Sequence, residues 1–289
     1  MNAWCIDHLV RTEKPELLSL KRKMDGPYMA AIETKFKLGQ SEFSIVYELR
    51  SGDPNLYLHI EGVWFERGTP QTGVPSLNLV IPVCLDNPKA SYEIPFGEIE
   101  RATEYGEEIP ALRWGKISGN IGKNTYGAIL FNDSKHGYSF KDGKLKLSLI
   151  RSSYEPDILP EIAKHEIHAA VRVFSGEISC SDTIRAGFTF NHELKVVGTD
   201  IHKGSFPDKG CFIEPSNGNA VLSGMKKAEK TNGIVMRLFN PERKVSDVKL
   251  KFNSDIFGKI LDSKIPGFYT QLGFLYFGVQ NINIALKRY

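Results

Sequence analysis

Alternation with a period of two residues is the feature that most constrains the fold of this sequence. In Lys144–Arg151, leucines occupy positions 145, 147 and 149, and most of the residues between them are polar. Asp247–Phe252 repeats the pattern. Side chains alternate between two faces in a β-strand, whereas a helix repeats every 3.6 residues. We therefore predict a half-buried strand in each segment.

Other apolar runs, rich in β-branched and aromatic residues, predict further strands. They are Phe43–Leu49, Tyr57–Phe65, Leu77–Val83, Ala169–Phe174 and Ile234–Phe239.

Turn signals separate these runs, and helical periodicity is scarce. Asp142-Gly143 is a turn signal, and Thr231-Asn232-Gly233 between two strand-like runs predicts a hairpin. Only Pro15–Lys23, as a short helix, and Pro160–Lys164, as one turn, favour helix. Many strands with frequent turns indicate an all-β fold of antiparallel sheets packed as a sandwich.

Composition supports a folded protein of two domains. The 289 residues are 41% hydrophobic and 11% aromatic, which is too apolar for a disordered chain. Pro215, Gly218 and two asparagines cluster between Phe212 and Asn219 and favour a break. We predict a large domain over residues 1–213 and a smaller β-sandwich over 214–289.

Charge and cysteine usage argue against several partners. The 37 basic and 34 acidic residues nearly balance, so nucleic acid is not expected as a partner. The most apolar stretch, Phe268–Leu286, contains four amide side chains, so no membrane span is expected. The start of the sequence does not read as a secretory signal, and its four cysteines are far apart. Buried thiols in a cytoplasmic protein are the interpretation that we adopt.

A metal site and a nucleophilic site both lack support. His165-Glu166-Ile167-His168 superficially resembles the zinc-protease motif His-Glu-x-x-His. That motif lies on a helix and has two residues between the Glu and the second His, whereas only Ile167 separates them here. Here the segment runs into a predicted strand, where residues three apart point to opposite faces. The sequence also has no Gly-x-Ser-x-Gly elbow and no phosphate-binding glycine loop. Neither a metal ligand nor a catalytic residue is assigned.

Arg151 is the one side chain that we single out as a candidate binding residue. Strict alternation would place it on the same face as Leu145, Leu147 and Leu149. A buried guanidinium needs a partner, so an internal ion pair with Glu155 or Asp157 is one interpretation. The other is that Arg151 donates hydrogen bonds to a polyhydroxylated ligand.

Four large aromatic side chains are candidate stacking surfaces for sugars. They alternate with apolar neighbours, and we therefore expect core packing for most of them. They are Trp64, Trp114, Tyr92 and Tyr138.

Four segments, in the same order, resemble the C-terminal region of the class II α-mannosidases, glycoside hydrolase family 38. The first is YEIPFGEIERAT at Tyr92–Thr103, with EIPA at Glu108–Ala111 and then Trp114. It is similar to the family's IPFG-x-IERPT and E-x-PA-x-x-W. The second is NDSKHGY at Asn132–Tyr138, with DGKLKLSLIR ending at Arg151. It is similar to NDSK-x-GY and LSLLR.

The remaining two segments lie further along the chain. His165-Glu166-Ile167 is similar to the family's H-E-F before a strand. NAVLSGMKKAE at Asn219–Glu229 and GIVMRLFNP at Gly233–Pro241 resemble NVVLSALKKAED and G-I-RLYNP. The order and spacing of all four agree over most of the chain.

The resemblance implies a fold and a division of labour. The fold is a large antiparallel β-supersandwich of the galactose-mutarotase type, followed by a small β-sandwich. In this family the zinc ligands, the nucleophilic Asp and the acid/base lie in an N-terminal α/β barrel, which this sequence does not resemble. The resemblance therefore implies that this chain holds no cofactor and that zinc lies in a separate catalytic domain. Arg151 matches a family arginine that approaches the substrate, whereas Ser152 stands where a second arginine is common.

These inferences predict a non-catalytic C-terminal portion or subunit of an α-mannosidase, inactive alone. Its partners would be an N-terminal catalytic domain or subunit and an α-mannoside or other carbohydrate. A free-standing carbohydrate-binding module is the first alternative, and it would need exposed aromatic side chains. A mutarotase-like enzyme would need a converging His and Glu, with the imidazole from His136, His165 or His168. A purely structural assembly domain would show a large apolar patch and no polar cleft.

Overall fold

The computed structural model describes residues 9, 11–103, 107–157, 161–192, 194–204, 210–215, 219–229, 234–242, 246–252, 273–276 and 281–286. This part of the chain is mostly β-structure with one short helix. Its elements are β1 (Glu16–Asp25), β2 (Met29–Leu38), β3 (Ser41–Arg50), β4 (Asn55–Val63), β5 (Ser76–Pro82), β6 (Asp86–Ile94), β7 (Gly97–Arg101), β8 (Ile109–Pro110), β9 (Trp114–Ile121), β10 (Asn124–Asn132), β11 (Gly137–Lys141), β12 (Lys144–Arg151), β13 (Lys164–Ser175), α1 (Cys180–Asn191), β14 (Ile213–Pro215), β15 (Val221–Lys227), β16 (Ile234–Phe239), β17 (Ser246–Phe252), β18 (Gly273–Tyr276) and β19 (Asn281–Leu286).

Two sheets form the larger part of the fold. Nine strands make an antiparallel sheet in the order β1-β2-β3-β4-β13-β10-β9-β6-β7, and four make a second sheet in the order β5-β12-β11-β8. Their facing side chains form one hydrophobic core, which includes Phe43, Ile60, Tyr92, Leu130 and Leu147. The predicted all-β sandwich is confirmed.

The alternation in the sequence predicts this packing well. Leu145 and Leu147 are fully buried, whereas Lys144 is exposed. The turn into β12 has Asp142 at φ 50° and Gly143 at φ 67°, the left-handed conformation that Asp and Gly adopt most readily. Each of the strand-like runs named above coincides with a strand, although Tyr57–Phe65 extends two residues past the end of β4 and Leu77–Val83 one residue past the end of β5.

The short helix predicted over Pro15–Lys23 is wrong. Residues Glu16–Asp25 form β1, which pairs along its length with β2 at the edge of the nine-stranded sheet. Leu, Lys, Arg and Glu favour helices in isolation, but the hydrogen bonds to a neighbouring strand override that preference. At Pro160–Lys164, described from residue 161, the chain makes a turn and enters β13.

Contacts divide the chain into two compact units. One contains the chain up to Glu177 except Pro95–Glu98, and the other contains those four residues and the chain from Ile178 onward. The second unit has two three-stranded sheets, ordered β14-β17-β19 and β15-β16-β18. Its core includes Met236, Leu238 and Leu250. The domain boundary between residues 213 and 214 stays a prediction.

The second unit also contains the hairpin and a helix. β15 and β16 pair as the hairpin signal predicts, although Thr231-Asn232-Gly233 itself lies outside the described residues. The sequence reasoning missed α1. Its signal was the spacing of Ser179 and Asp182: the Ser179 Oγ accepts a hydrogen bond from the Asp182 backbone N–H at 3.0 Å, as a helix N-cap does.

Candidate functional site

Arg151 is the last residue of β12, and it lies opposite Ser76 of β5. A β-bulge interrupts the pairing between Ser148 and Ile150, and both Leu149 and Ile150 are buried. A bulge adds one residue to a strand and shifts the alternation that follows it. Strict alternation therefore ends at Leu149, and it does not apply to Arg151, which we predicted on the same face as the leucines. Arg151 is partly buried rather than enclosed in the core.

The residue after Arg151 is held by a side chain from the other sheet. The Trp64 Nε1–H donates to the Ser152 Oγ at 2.6 Å, and both residues are buried. The Ser152 backbone N–H donates to the Pro75 carbonyl at 3.0 Å. Gly68 lies so close that an added Cβ would come within 2.5 Å of the Ser152 carbonyl oxygen. Ser152 thus fixes the chain where it leaves β12.

The loop after Trp64 is fixed in turn by Glu66. The Glu66 Oε1 accepts hydrogen bonds from the Gln40 backbone N–H at 2.7 Å and from the Ser41 hydroxyl at 3.0 Å. The Phe65 backbone N–H donates to the Ser41 Oγ at 2.9 Å. These bonds join the β2–β3 turn to the loop after β4, and Trp64 joins that loop to the residue that follows Arg151. We take this loop cluster as the candidate binding site.

The motifs in the first two resembling segments form a buried polar network. Glu93 is 1% exposed, and one of its carboxylate oxygens accepts the Arg113 backbone N–H at 2.7 Å. The Arg113 guanidinium donates to the same carboxylate through Nε, at 3.0 and 3.1 Å, and through Nη2. A buried carboxylate requires such pairing. These two residues stabilise the fold, and we assign them no catalytic role.

Asn132 and Tyr138 continue this network. The Asn132 Nδ2 donates to the Leu112 carbonyl at 3.1 Å and to the Tyr138 hydroxyl at 2.6 Å. The Tyr138 hydroxyl donates to the Leu130 carbonyl at 3.1 Å. Burial raises the pKa of Tyr138 and raises the pKa of Tyr92 to about 12, so both phenols remain neutral. The network therefore explains the Asn and Tyr of the NDSK-x-GY motif in structural terms.

The four aromatic side chains weighed as sugar platforms belong to the core. Trp64, Trp114, Tyr92 and Tyr138 are each 0–1% exposed, so none can stack on a bound sugar. The preference for core packing is confirmed for these four.

The histidines make local contacts. His165 hydrogen-bonds the Glu161 carbonyl oxygen at 2.7 Å, and His136 contacts the Ala111 carbonyl oxygen at 3.1 Å. His168 Nδ1 lies 2.8 Å from Asp133 Oδ2, and its ring meets the His59 ring at a centroid distance of 5.3 Å. Within the described ranges, no three His, Cys, Asp or Glu side chains are placed to hold a metal ion. These residues do not fit zinc.

A cavity of about 530 Å³ in the larger unit has an apolar lining. It lies near the ends of β5, β10 and β13 and is lined by residues such as Ile81, Val171 and Phe174. A sugar site needs polar groups aimed at hydroxyls, which this cavity offers poorly. We therefore do not assign it to a carbohydrate.

The exposure of the described cysteines differs from the expectation of buried thiols. Cys84 and Cys211 are exposed thiols, and of the described cysteines only Cys180 is buried, so the expectation of buried thiols is wrong for the first two. Exposure is possible because Cys84 follows the end of β5, outside the core.

None of the described helices has the length and apolar character to cross a membrane.

Comparisons with known proteins address the resemblance directly. The profile of the glycosyl hydrolases family 38 C-terminal domain matches residues 1–159, more than half of the chain. The profile of the family 38 C-terminal beta sandwich domain matches residues 219–261.

Curated relatives carry the name α-mannosidase and are much longer. Alpha-mannosidase G of Dictyostelium discoideum is 30% identical over 159 residues, which cover 52% of this chain and 14% of that protein. Alpha-mannosidase 2C1 of Homo sapiens is 29% identical over 198 residues, covering 65% of this chain and 18% of that protein. The chain thus spans less than a fifth of the length of these relatives.

Solved structures share the fold at low identity. An α-mannosidase from Enterococcus faecalis V583 aligns with a TM-score of 0.70 and 12% identity over 82% of this chain and 31% of that one. A family 38 protein from Enterococcus faecalis aligns with a TM-score of 0.73 and 11% identity over 91% of this chain and 36% of that one. With the two profile matches, these observations establish that the chain belongs to glycosyl hydrolase family 38 and carries the two C-terminal β-domains of the class II α-mannosidases.

Proposed function

We propose that this chain is the non-catalytic C-terminal portion or subunit of an α-mannosidase. It would complete the substrate cleft in which a separate, zinc-dependent catalytic domain hydrolyses terminal α-mannosides. The observation that carries the proposal is the match of residues 1–159 to the C-terminal domain of the family. The matched relatives are named as α-mannosidases, and more than four fifths of their length lies outside the match.

The contacts of the described residues support a non-catalytic role. Glu93, a candidate acid by type, is buried and paired with Arg113. A glycosidase needs two carboxyl groups facing one cleft. Glu100, Glu107 and Glu108 are exposed acids, and we assign none of them to catalysis.

Arg151 is the residue through which we propose that the chain contacts substrate. Its backbone is held by pairing with Ser76 and by the anchored Ser152 that follows it. A guanidinium can donate to two neighbouring hydroxyls at once, and the fixed backbone limits the positions that its side chain has to search, which favours binding. This chain would then form one wall of the cleft, and Arg151 would contact the substrate hydroxyls from that wall.

The test is hydrolysis of a chromogenic α-mannoside with zinc present. The chain is assayed alone, the matching N-terminal catalytic polypeptide is assayed alone, and the two are then mixed. We expect no turnover by the chain alone and a gain of activity on mixing.

Two other results would contradict the proposal. Turnover by the purified chain alone would require an active site within these residues. No gain on mixing, together with binding of mannose by the chain alone, would favour a carbohydrate-binding module instead.

For location we propose the cytoplasm. Two exposed thiols, Cys84 and Cys211, are compatible with a reducing compartment, where thiols do not oxidise readily. Mass spectrometry of blocked thiols in freshly lysed cells would test this, since oxidation of both would contradict it.

A further inference from the structure

The edge of the nine-stranded sheet carries exposed apolar side chains on one face. We call Leu17, Leu20, Ile32 and Leu49, on β1, β2 and β3, the apolar wing. Their exposed fractions are 61%, 63%, 45% and 54%. Nine of the ten residues of β1 are exposed, and β1, described in full, contributes no residue to the sandwich core.

Strand register places the wing on the same face of the sheet as the core. Leu17 lies opposite Phe36, which lies opposite Phe43, and residues directly opposite in an antiparallel pair share a face. Phe43 is a core residue, and its ring stacks on that of Phe36 at 5.8 Å. Ile32 lies opposite Tyr47, which packs against the same core. The wing therefore continues the core face outward.

The difference in width between the two sheets explains why this face is exposed. At about 4.8 Å per strand, nine strands extend about 38 Å between the outer strands, whereas four extend about 14 Å. The core draws on β3, β4, β13, β10, β9 and β6 of the large sheet. The four-stranded sheet is too narrow to cover β1 and the adjoining parts of β2 and β3.

The other face of the same strands is polar. Lys23 pairs with Glu33 at 3.2 Å between β1 and β2, and Glu48 pairs with Arg50 at 2.6 Å in β3. The wing's own face also carries one ion pair, because Arg22 lies opposite Ile32 and pairs with Asp25. A sheet with one charged face and one mainly apolar face normally buries the apolar one. Exposed apolar surface of this kind marks an interaction site in soluble proteins.

The free edge of β1 is protected against pairing with another strand, whereas its apolar face is left open. Two bulges disturb the strand, between Leu17 and Ser19 and between Arg22 and Met24, and Lys21-Arg22-Lys23 adds three consecutive cations. Bulges and charges on an edge strand oppose pairing with another strand. A second copy of this chain adding to this edge is therefore disfavoured, and a partner that covers the face is favoured.

We infer that the apolar wing docks the catalytic polypeptide of the same α-mannosidase. The inference rests on the proposed function and assigns the interface to residues of β1–β3. In the matched relatives and solved proteins, 64–86% of the chain lies outside the matched region, and we assign the counterpart of that large polypeptide to this face. The wing supplies an apolar centre, around which a stable interface would bury at least about 1,000 Å² in total.

The test compares binding of the catalytic polypeptide by the wild-type chain and by Leu17→Glu/Leu49→Glu. Position 32 is avoided because Arg22 lies opposite Ile32 and would pair with a carboxylate there. A carboxylate buried without a partner opposes docking, so we expect the dissociation constant, measured by calorimetry, to rise about tenfold or more. Leu222→Glu is the matched control, because Leu222 is 43% exposed in β15 and lies outside the wing. Leu17→Ser/Leu20→Ser is a milder second variant, and urea unfolding of all the chains identifies any loss of folding.

The outcomes separate the inference from the proposed function. If wild type restores activity and the folded wing variants bind equally well, the docking surface is wrong and the proposed function stands. If wild type itself does not bind the catalytic polypeptide, both are wrong. If sedimentation shows a dimer that only the wing variants dissociate, while catalytic binding is unchanged, the occupant is a second copy and the inference is overturned.

Discussion

The Trp64 indole donates its Nε1 hydrogen to the Ser152 hydroxyl at 2.6 Å, and this bond joins the end of β4 to the residue that follows Arg151. Trp64 is 1% exposed and Ser152 is fully buried. Eighty-eight positions separate them in the sequence. The bond therefore couples the packing of the two sheets to the position of the candidate binding arginine.

Removing the Ser152 hydroxyl should destabilise the protein. In Ser152→Ala the buried indole N–H loses its acceptor, which costs about 1–3 kcal/mol of unfolding free energy. Urea denaturation followed by tryptophan fluorescence measures the loss. Ser134→Ala is the control, since Ser134 is exposed and should change stability by less than about 0.5 kcal/mol. Equal midpoints for Ser152→Ala and wild type would show that Trp64 does not depend on this hydroxyl.

The buried pair of Glu93 and Arg113 should show strong energetic coupling. Glu93→Gln leaves the Arg113 guanidinium without its charge partner, and we expect a loss of about 3 kcal/mol, because Arg113 is 21% exposed and keeps some water. The double variant Glu93→Gln/Arg113→Met should lose less than the sum of the two single variants.

The exposed pair of Glu61 and Lys164 is the control for the single and double variants of Glu93 and Arg113. Both side chains are more than half exposed, although their charged groups lie within ion-pair distance. Glu61→Gln should therefore leave the urea midpoint unchanged. Additive losses at Glu93 and Arg113 would argue against the pairing that the structure shows.

How far the fold can be predicted from the sequence depends on which interactions decide each element. The leucines of β12 reveal their strand because burial on one face imposes the alternation. The strand β1 is hidden, because its ten residues favour a helix locally and only pairing with β2 makes them extended. The bulge before Ile150 is equally invisible, since it depends on how β12 meets β5.

The candidate site divides in the same way. Arg151 can be singled out from its motif, but the anchoring of the next residue cannot, because Trp64 is distant from Ser152 in the sequence and is brought to it by sheet packing. The apolar wing was also beyond sequence reasoning. Leu17 and Leu20 look like core residues until the narrower sheet is seen to leave them uncovered.

Stability should fall in mild acid partly through His59. Burial lowers the pKa of His59 below its ordinary value, against the opposing effect of Glu48, while His168 and Arg50 lower it further and Glu166 raises it. The unfolded chain then binds the proton more readily than the folded one. The contribution of His59 to stability is therefore complete above its pKa in the unfolded chain. It is lost as the pH falls through its pKa in the folded chain.

Urea midpoints between about pH 7.5 and about pH 5 test this dependence. In His59→Asn, which cannot be protonated, the midpoint should fall less over this range than in wild type. His202→Asn replaces an exposed histidine and should follow the wild-type curve. If His59→Asn also follows that curve, the acid sensitivity arises elsewhere.

The last prediction concerns Arg151 and rests on the proposed function. In the complex with the catalytic polypeptide, Arg151→Ala should lower kcat/KM for an α-mannoside by about tenfold or more, since hydrogen bonds from a charged donor contribute about 1.5–3 kcal/mol. Arg151→Lys keeps the charge but not the paired donors, so its loss should lie between wild type and Arg151→Ala. The urea midpoint and the affinity for the catalytic polypeptide are measured on the same variants. Reduced kcat/KM with both of these unchanged would assign Arg151 to the substrate, whereas an unchanged kcat/KM would leave Arg151 a structural residue at the end of β12.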